Sequence, residues 1–262
     1  MARSYNFALG ALRSHGESAQ LRPISHEFRQ VPRSALASVE PLADTERSLR
    51  ERAAAADRFA TDELSLALLW RELGLGLTRV VDCFFTSERC LLLTAPRPGP
   101  PRPLSPQRRE VLEAVLVCGA QKVVAIELGL APSTVASNAQ QALETLGVLG
   151  RPSRPHPLLV LAATAERSGD TNALGSLSFF EQAAAELRVV SVLRPELALI
   201  NRFSRAEFAV LQGLVEGEPY ATMARRRGTS ERTVANQIAS VFRGLRVSGR
   251  AELLLRLFAS RG

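Results

Sequence analysis

The stretch LSPQRREVLEAVL, beginning at Leu104, aligns with FSRAEFAVLQGLV, beginning at Phe203, at an offset of 99 residues that then holds without a gap. The offset pairs Ala125 with Ala224, Gly129 with Gly228, Thr134, Val135 and Ala136 with Thr233, Val234 and Ala235, Leu146 with Leu245, and Val148 with Val247. Ten of 45 positions are identical, where composition alone gives about three. Such a chain must use one supersecondary unit twice. Upstream, Arg89 to Thr94 falls on Arg188 to Leu193, itself preceded by SLSFFEQ from Ser176. In the first copy β-branched and aromatic residues (Val80, Val81, Phe84, Phe85, then Leu91 to Leu93) surround a polar Thr86-Ser87-Glu88 turn, which reads as a β-hairpin. The expectation is a mainly α chain of two repeated units, roughly 61–166 and 170–262, each a small β-hairpin followed by a three- to four-helix bundle.

Residues 1–60 show no sustained period and mix Pro23, Pro32 and Pro41 with polar residues, becoming helical in pattern only from Thr45. They read as a polar, loosely ordered leader, and their seven acidic residues, among them Glu17, Glu27 and Glu40, argue against a transit peptide. Residues 61–103 hold a helix from Thr61 to about Leu77, the hairpin, and a stiff polyproline spacer over Ala95 to Pro103. In that helix Leu64, Leu68, Leu69 and Leu73 fall at helical spacing beside Trp70, and Gly74 and Gly76 end it. Residues 104–166 form the first helical module, 167–202 a hairpin linker and 203–262 the second module; Arg151 to Pro157 is a second Pro-rich punctuation.

Arginine supplies all but one of the 33 basic residues, the exception being Lys122, and the formal charge is +7. Such a balance favours a polyanionic partner, because each arginine on a phosphate releases a counterion. Cys83, Cys90 and Cys118 make no C-x-x-C pair, and His15, His26 and His156 lie far apart, so neither a metal nor another cofactor is expected and a reducing cytoplasm is. No apolar run approaches the length of a membrane helix. A P-loop, H-E-x-x-H and G-x-S-x-G are all missing, and Gly74-x-Gly76 lacks the third glycine of a dinucleotide fingerprint, so the chain does not read as an enzyme.

In the second unit Ser204 caps a helix to Glu216, with Glu207 three residues on as in a capping box and Phe208, Leu211, Leu214 and Val215 inward. Gly217 ends it, a helix from Tyr220 to Arg227 stops at Gly228, and Ser230 caps a third helix from Glu231 to Leu245. Val234, Ile238, Val241, Phe242 and Leu245 form one apolar stripe on that last helix. Off the stripe, Arg232, Thr233, Asn236, Gln237 and Ser240 can reach base edges in a major groove. Around them Arg225, Arg226, Arg227, Ser230, Arg243, Arg246 and Arg250 can hold phosphates, which fix register without reading sequence.

EFAVLQGLVEGEPYATMARRRGTSERTVANQIASVFRGLRVSGRAELL resembles a LuxR (GerE)-type DNA-binding domain. The resemblance rests on the Gly217 stop, the Ala224 to Gly228 turn, the Ser230-x-x-Thr233-Val234 start and the Leu245-x-Val247-x-x-Arg250-Ala-Glu252 exit. It implies a helix-turn-helix transcriptional regulator whose partners are double-stranded DNA and RNA polymerase. The family often has lysine after Thr-Val and histidine two positions later, where this chain has Ala235 and Gln237, which implies a lost phosphate contact. A sigma-factor-like promoter reader and a non-DNA-binding interaction adaptor are the competing classes.

The first unit is similar to the family more weakly, through VVAIELGLAPSTVASNAQQALETLGV, so each bundle is expected to be a LuxR-type helix-turn-helix, the upstream one degenerate. Its candidate second DNA face is Ser133, Thr134, Ser137, Asn138 and Gln141, which carries no cation. Residues 104–148 hold three basic and four acidic residues, against seven and four in 203–247. The last helix, Ala251 to Ser260, carries more apolar surface than a three-helix core needs, and so does His156 to Ala165. Leu254 and Phe258 are therefore expected to make a homodimer or an intrachain pseudo-dimer, the alternative being that both stripes simply close their own domains.

Overall fold

The computed structural model describes residues 42–118, 121–148, 155–182, 185–197 and 203–259; residues 1–41 of the leader and 151–154 of the second Pro-rich punctuation lie outside the described residues. In chain order the elements are α1 (Leu42–Asp57), β1 (Asp62–Ser65), α2 (Leu66–Gly74), β2 (Thr78–Phe85), β3 (Arg89–Pro96), α3 (Pro106–Cys118), α4 (Gln121–Leu128), α5 (Pro132–Leu146), α6 (Pro157–Ser168), β4 (Leu174–Gln182), β5 (Ala185–Leu193), α7 (Arg205–Glu216), α8 (Tyr220–Arg227), α9 (Glu231–Leu245) and α10 (Arg250–Ala259).

The sheet overturns the expectation of two mainly α units with small private hairpins. β2 pairs with β3 and β4 with β5, but β3 also pairs antiparallel with β5, and β1 adds to β4. The result is one five-stranded antiparallel sheet in the order β1-β4-β5-β3-β2. A lone two-stranded hairpin is marginal in water. Cys90, Leu91, Leu92 and Leu93 are all fully buried, so β3 is covered on both faces, as a central strand is.

The register carries the repeat into three dimensions. Leu91 sits opposite Ser191 and Leu92 opposite Val190. The 99-residue offset carries Leu91 to Val190 and Leu92 to Ser191, so it exchanges these two pairs. Equivalent strands thus meet about a local twofold relation at the sheet centre.

Helices cover both faces. On one, Ala53 of α1 packs with Phe84, Leu91, Leu93 and Val189. Arg50 binds Asp82 at 2.7 Å and buried Asp57 binds Arg89 at 2.9 Å. Residues 42–57 of the expected leader are therefore a docked helix; the pattern from Thr45 shows the helix but not its docking, because its buried apolar position is an alanine among alanines. On the other face α2 packs against α6, and Leu69, Trp70, Leu73, Leu158 and Leu159 join Cys90, Leu92 and Val190 in the main core. The helix read from Thr61 is instead β1 followed by α2. The expected polyproline spacer is also interrupted: Pro96 belongs to β3, and Gly99 adopts φ +85°, outside the polyproline region. Its two ends are pinned, Arg97 N to the Leu77 carbonyl at 3.0 Å and Leu104 N to the Gly74 carbonyl at 2.9 Å.

α3, α4 and α5 recur as α7, α8 and α9 at the 99-residue offset. α10 packs on α6, α3 and α7, with Leu253 and Leu254 fully buried and Phe258 partly so, which spends most of the surplus apolar stripe inside the chain.

Candidate nucleic-acid interface

Local chemistry sets the α7–α8–α9 module. Ser204 Oγ accepts from Glu207 N at 3.3 Å while a Glu207 carboxylate oxygen accepts from Ser204 N at 3.0 Å, a reciprocal cap on α7. Gly228 closes α8 at φ +61°, a left-handed conformation that glycine adopts without a Cβ penalty. Two residues later Ser230 Oγ accepts from Thr233 N at 3.1 Å and starts α9. Val234, Ile238, Val241 and Leu245 of α9 are buried with Val210, Leu211, Leu214, Met223 and Ala224. With that stripe buried at helical period, the opposite side of α9 is left to solvent.

Arg232, Thr233 and Asn236 stand exposed on the amino-terminal half of α9. Gln237 and Ser240, read beside them, are half-buried and held by the bundle. Arg227 Nη1 donates to Gln237 Oε1 at 2.6 Å, and Ser240 Oγ donates to Glu207 Oε1 at 2.6 Å. Hydrogen bonds from Ser240 and then Ser204 hold the Glu207 carboxyl below its usual range.

The phosphate candidates divide. Arg225, Arg243 and Arg246 are exposed, and none is in a salt bridge among the described residues. Arg225 reaches Thr222 Oγ1 at 3.5 Å and Arg243 the Ala239 carbonyl at 3.4 Å, both local contacts. Arg226 is engaged by Glu218 at 2.7 Å. Arg250 serves the fold rather than a phosphate. Its guanidinium donates to the carbonyls of Leu214 at 2.6 Å, Val215 at 3.2 Å and Pro155 at 2.8 Å, joining the end of α7 to the approach to α6. Carbonyls in a last helical turn lack intrahelical partners, and an arginine fork satisfies them.

On α5 the buried stripe is Val135, Ala139, Ala142, Leu143 and Leu146. Ser133, Thr134, Ser137 and Gln141 are exposed, Asn138 is half-buried, and Gln141 Nε2 donates to Ser137 Oγ at 3.3 Å. α4 exposes Val123 and Ile126, where α8 has Thr222 and Arg225. Sequence reasoning missed a set of cations beside this face: Arg97, Arg102 and Arg108 line a cleft with Gln141, Glu144 and Thr145. Two of them lie outside the aligned window, in the segment read as a passive spacer, and only the prolines flanking them gave a local signal.

Burial pushes the Cys83 thiol up to about 11 and the Cys90 thiol up to about 12, which leaves both protonated and unreactive at neutral pH. Among the described residues no group of three His, Cys, Asp or Glu could hold a metal ion, and no helix is long and apolar enough to cross a membrane. No family model, curated protein or solved structure matches the chain.

Proposed function

We propose that the protein is a sequence-specific DNA-binding transcriptional regulator of the bacterial cytoplasm, laying α9 in a major groove, with RNA polymerase as its further partner. The observation that carries this reading is the exposed triplet Arg232, Thr233 and Asn236 on a helix anchored along its opposite side and flanked by Arg225, Arg243 and Arg246. Arginine pairs with the guanine edge and asparagine with the adenine edge, while the flanking arginines hold the backbone on either side. The resemblance of this segment to LuxR-type domains supports the same assignment. Gln237 and Ser240 take supporting places, since each already has a partner in the bundle.

Selection of bound genomic fragments tests the proposal. The wild type is expected to enrich one motif that Arg232→Ala, Asn236→Ala protein does not enrich. Unenriched background from both proteins would overturn it.

A further inference from the structure

We infer that the cleft formed by Arg97, Arg102 and Arg108 is a second DNA-backbone site, at the carboxy-terminal end of α5 in the first module. The inference rests on the DNA-binding reading above and adds a contact to it.

Three observations meet here. The first is charge: three guanidinium groups and one carboxylate, Glu144, surround a cleft of about 450 Å³. None of the three arginines is in a salt bridge among the described residues. Glu144 is engaged by the Gln140 amide at 2.7 Å. Arg97 Nε is shut away from solvent without a hydrogen-bond partner among the described residues. Burial, with Arg102 and Arg79 close by, lowers the Arg97 pKa. Like charges gathered this closely repel, and an anion seated among them relieves that repulsion.

The second is continuity. Thr134, Ser137, Gln141 and Thr145 follow one another at helical spacing along α5, and the last two line the cleft. The polar stripe therefore runs into a basic end. Two of these cations, Arg97 and Arg102, are supplied from outside the module's helices by the pinned segment after β3, and the third, Arg108, by the first turn of α3. Arg97 is held in place by a bond from Nη2 to the Thr145 carbonyl.

The third is the comparison of the two modules. Position 108 corresponds to Glu207, position 141 to Ser240 and position 144 to Arg243. Where the second module has an acid closed off by Ser240 and an exposed cation, Arg243, at the far end of α9, the first has the signs exchanged. Each module thus offers arginine beside the carboxy-terminal part of its third helix, from α9 itself in the second and from α3 and the segment after β3 in the first. α4, with Val123 and Ile126 exposed, is not part of this contact.

The test is binding of the full chain to a random-sequence 30-base-pair duplex, followed by fluorescence anisotropy across a salt series. Wild type is compared with Arg102→Ala, Arg108→Ala protein, with Arg102→Ala alone as a milder variant and thermal melting as the check on folding. Each backbone contact contributes about 0.9 to the slope of log affinity against log salt. The double variant is expected to lose about two from the slope and the single variant about one. The double variant's deficit then shrinks about tenfold between about 50 and 200 mM salt. A folded variant with an unchanged slope overturns the inference and leaves the α9 reading standing. Failure of the wild type to bind the duplex at all overturns both. Pyrophosphate raising the melting temperature of the wild type alone, with DNA slopes equal, assigns the cleft to a free anion and overturns the DNA site.

Discussion

Arg227, the last residue of α8, donates from Nη1 to Oε1 of Gln237 on α9 across 2.6 Å. The bond joins α8 to α9 and commits one lone pair of the Gln237 side-chain oxygen. A glutamine reading adenine uses its oxygen and its amide together. With one lone pair committed to Arg227 and the amide oxygen turned toward α8, the side chain is not placed for the bidentate adenine contact, and its Nε2 donors suit the acceptors of guanine or the O4 of thymine. Arg227→Met is expected to release the oxygen and move preference at one position toward adenine. The change is about tenfold at that position, since a bidentate base contact discriminates by about 1–3 kcal/mol. Affinities for a selected site carrying each base in turn check this. Uniform weakening at every base would reduce Arg227 to a backbone contact.

Arg246 ends α9 at φ +53°, whereas its repeat counterpart Gly147 ends α5 at φ +95°. A left-handed conformation costs a residue with a Cβ about 1–2 kcal/mol. Arg246→Gly is therefore expected to stabilise the fold by about 0.5–1 kcal/mol, after the larger entropy of unfolded glycine is subtracted. It is also expected to take about one from the salt slope of DNA binding. Denaturant melts and anisotropy on the same samples measure both. Greater stability with an unchanged slope would mean that Arg246 does not touch phosphate.

His156 caps α6 through Nδ1, packs against the Phe85 ring in a tilted pair with centroids 4.7 Å apart, and is buried. Burial first, and the charge of Arg250 after it, push its pKa down to about 3 from 6.5. Between those values the unfolded chain binds the extra proton. The stability contribution is therefore whole above about pH 6.5 and is lost progressively as pH falls toward 3. Relative to His156→Asn, which retains a capping acceptor, the wild type is expected to lose roughly 2 kcal/mol between about pH 6 and 4.5. Parallel stability curves over that interval would show that His156 does not control the acid response.

Leu254 is fully buried between modules rather than on a free face. Leu254→Ala is expected to cost about 2–5 kcal/mol in chemical unfolding without altering the sedimentation coefficient of the native protein. A wild-type dimer that dissociates in the variant at full monomer stability would contradict the packing of α10 on α6.

The helices of both modules were legible because each carries its own punctuation. Ser204, Gly217, Gly228 and Ser230 set the ends of α7, α8 and α9, and the offset transfers those ends to α3, α4 and α5. Strand pairing was not legible in the same way. Which edge β3 offers to β5 depends on contacts about 100 residues apart, and the alternation within one hairpin does not encode them. The unbroken run Leu91 to Leu93 was the one local sign of a central strand. β1 spans four residues, Asp62–Ser65, too few to show a period. At the candidate site, the exposure of Arg232, Thr233 and Asn236 follows from the stripe on α9. The diversion of Arg250 to carbonyls and the gathering of Arg97, Arg102 and Arg108 depend on tertiary packing, which no spacing displays.

The most direct measurement is the ratio of affinities for the selected site and for a shuffled duplex at physiological salt, in the wild type and in Arg232→Ala, Asn236→Ala, Gln237→Ala protein. A wild-type ratio of about 10³ or more is expected. In the variant the ratio should collapse toward one, while affinity for the shuffled duplex stays within about threefold because the phosphate contacts remain. A variant that keeps the wild-type ratio, or a wild type without any preference, would contradict the assignment of α9 as the reading helix.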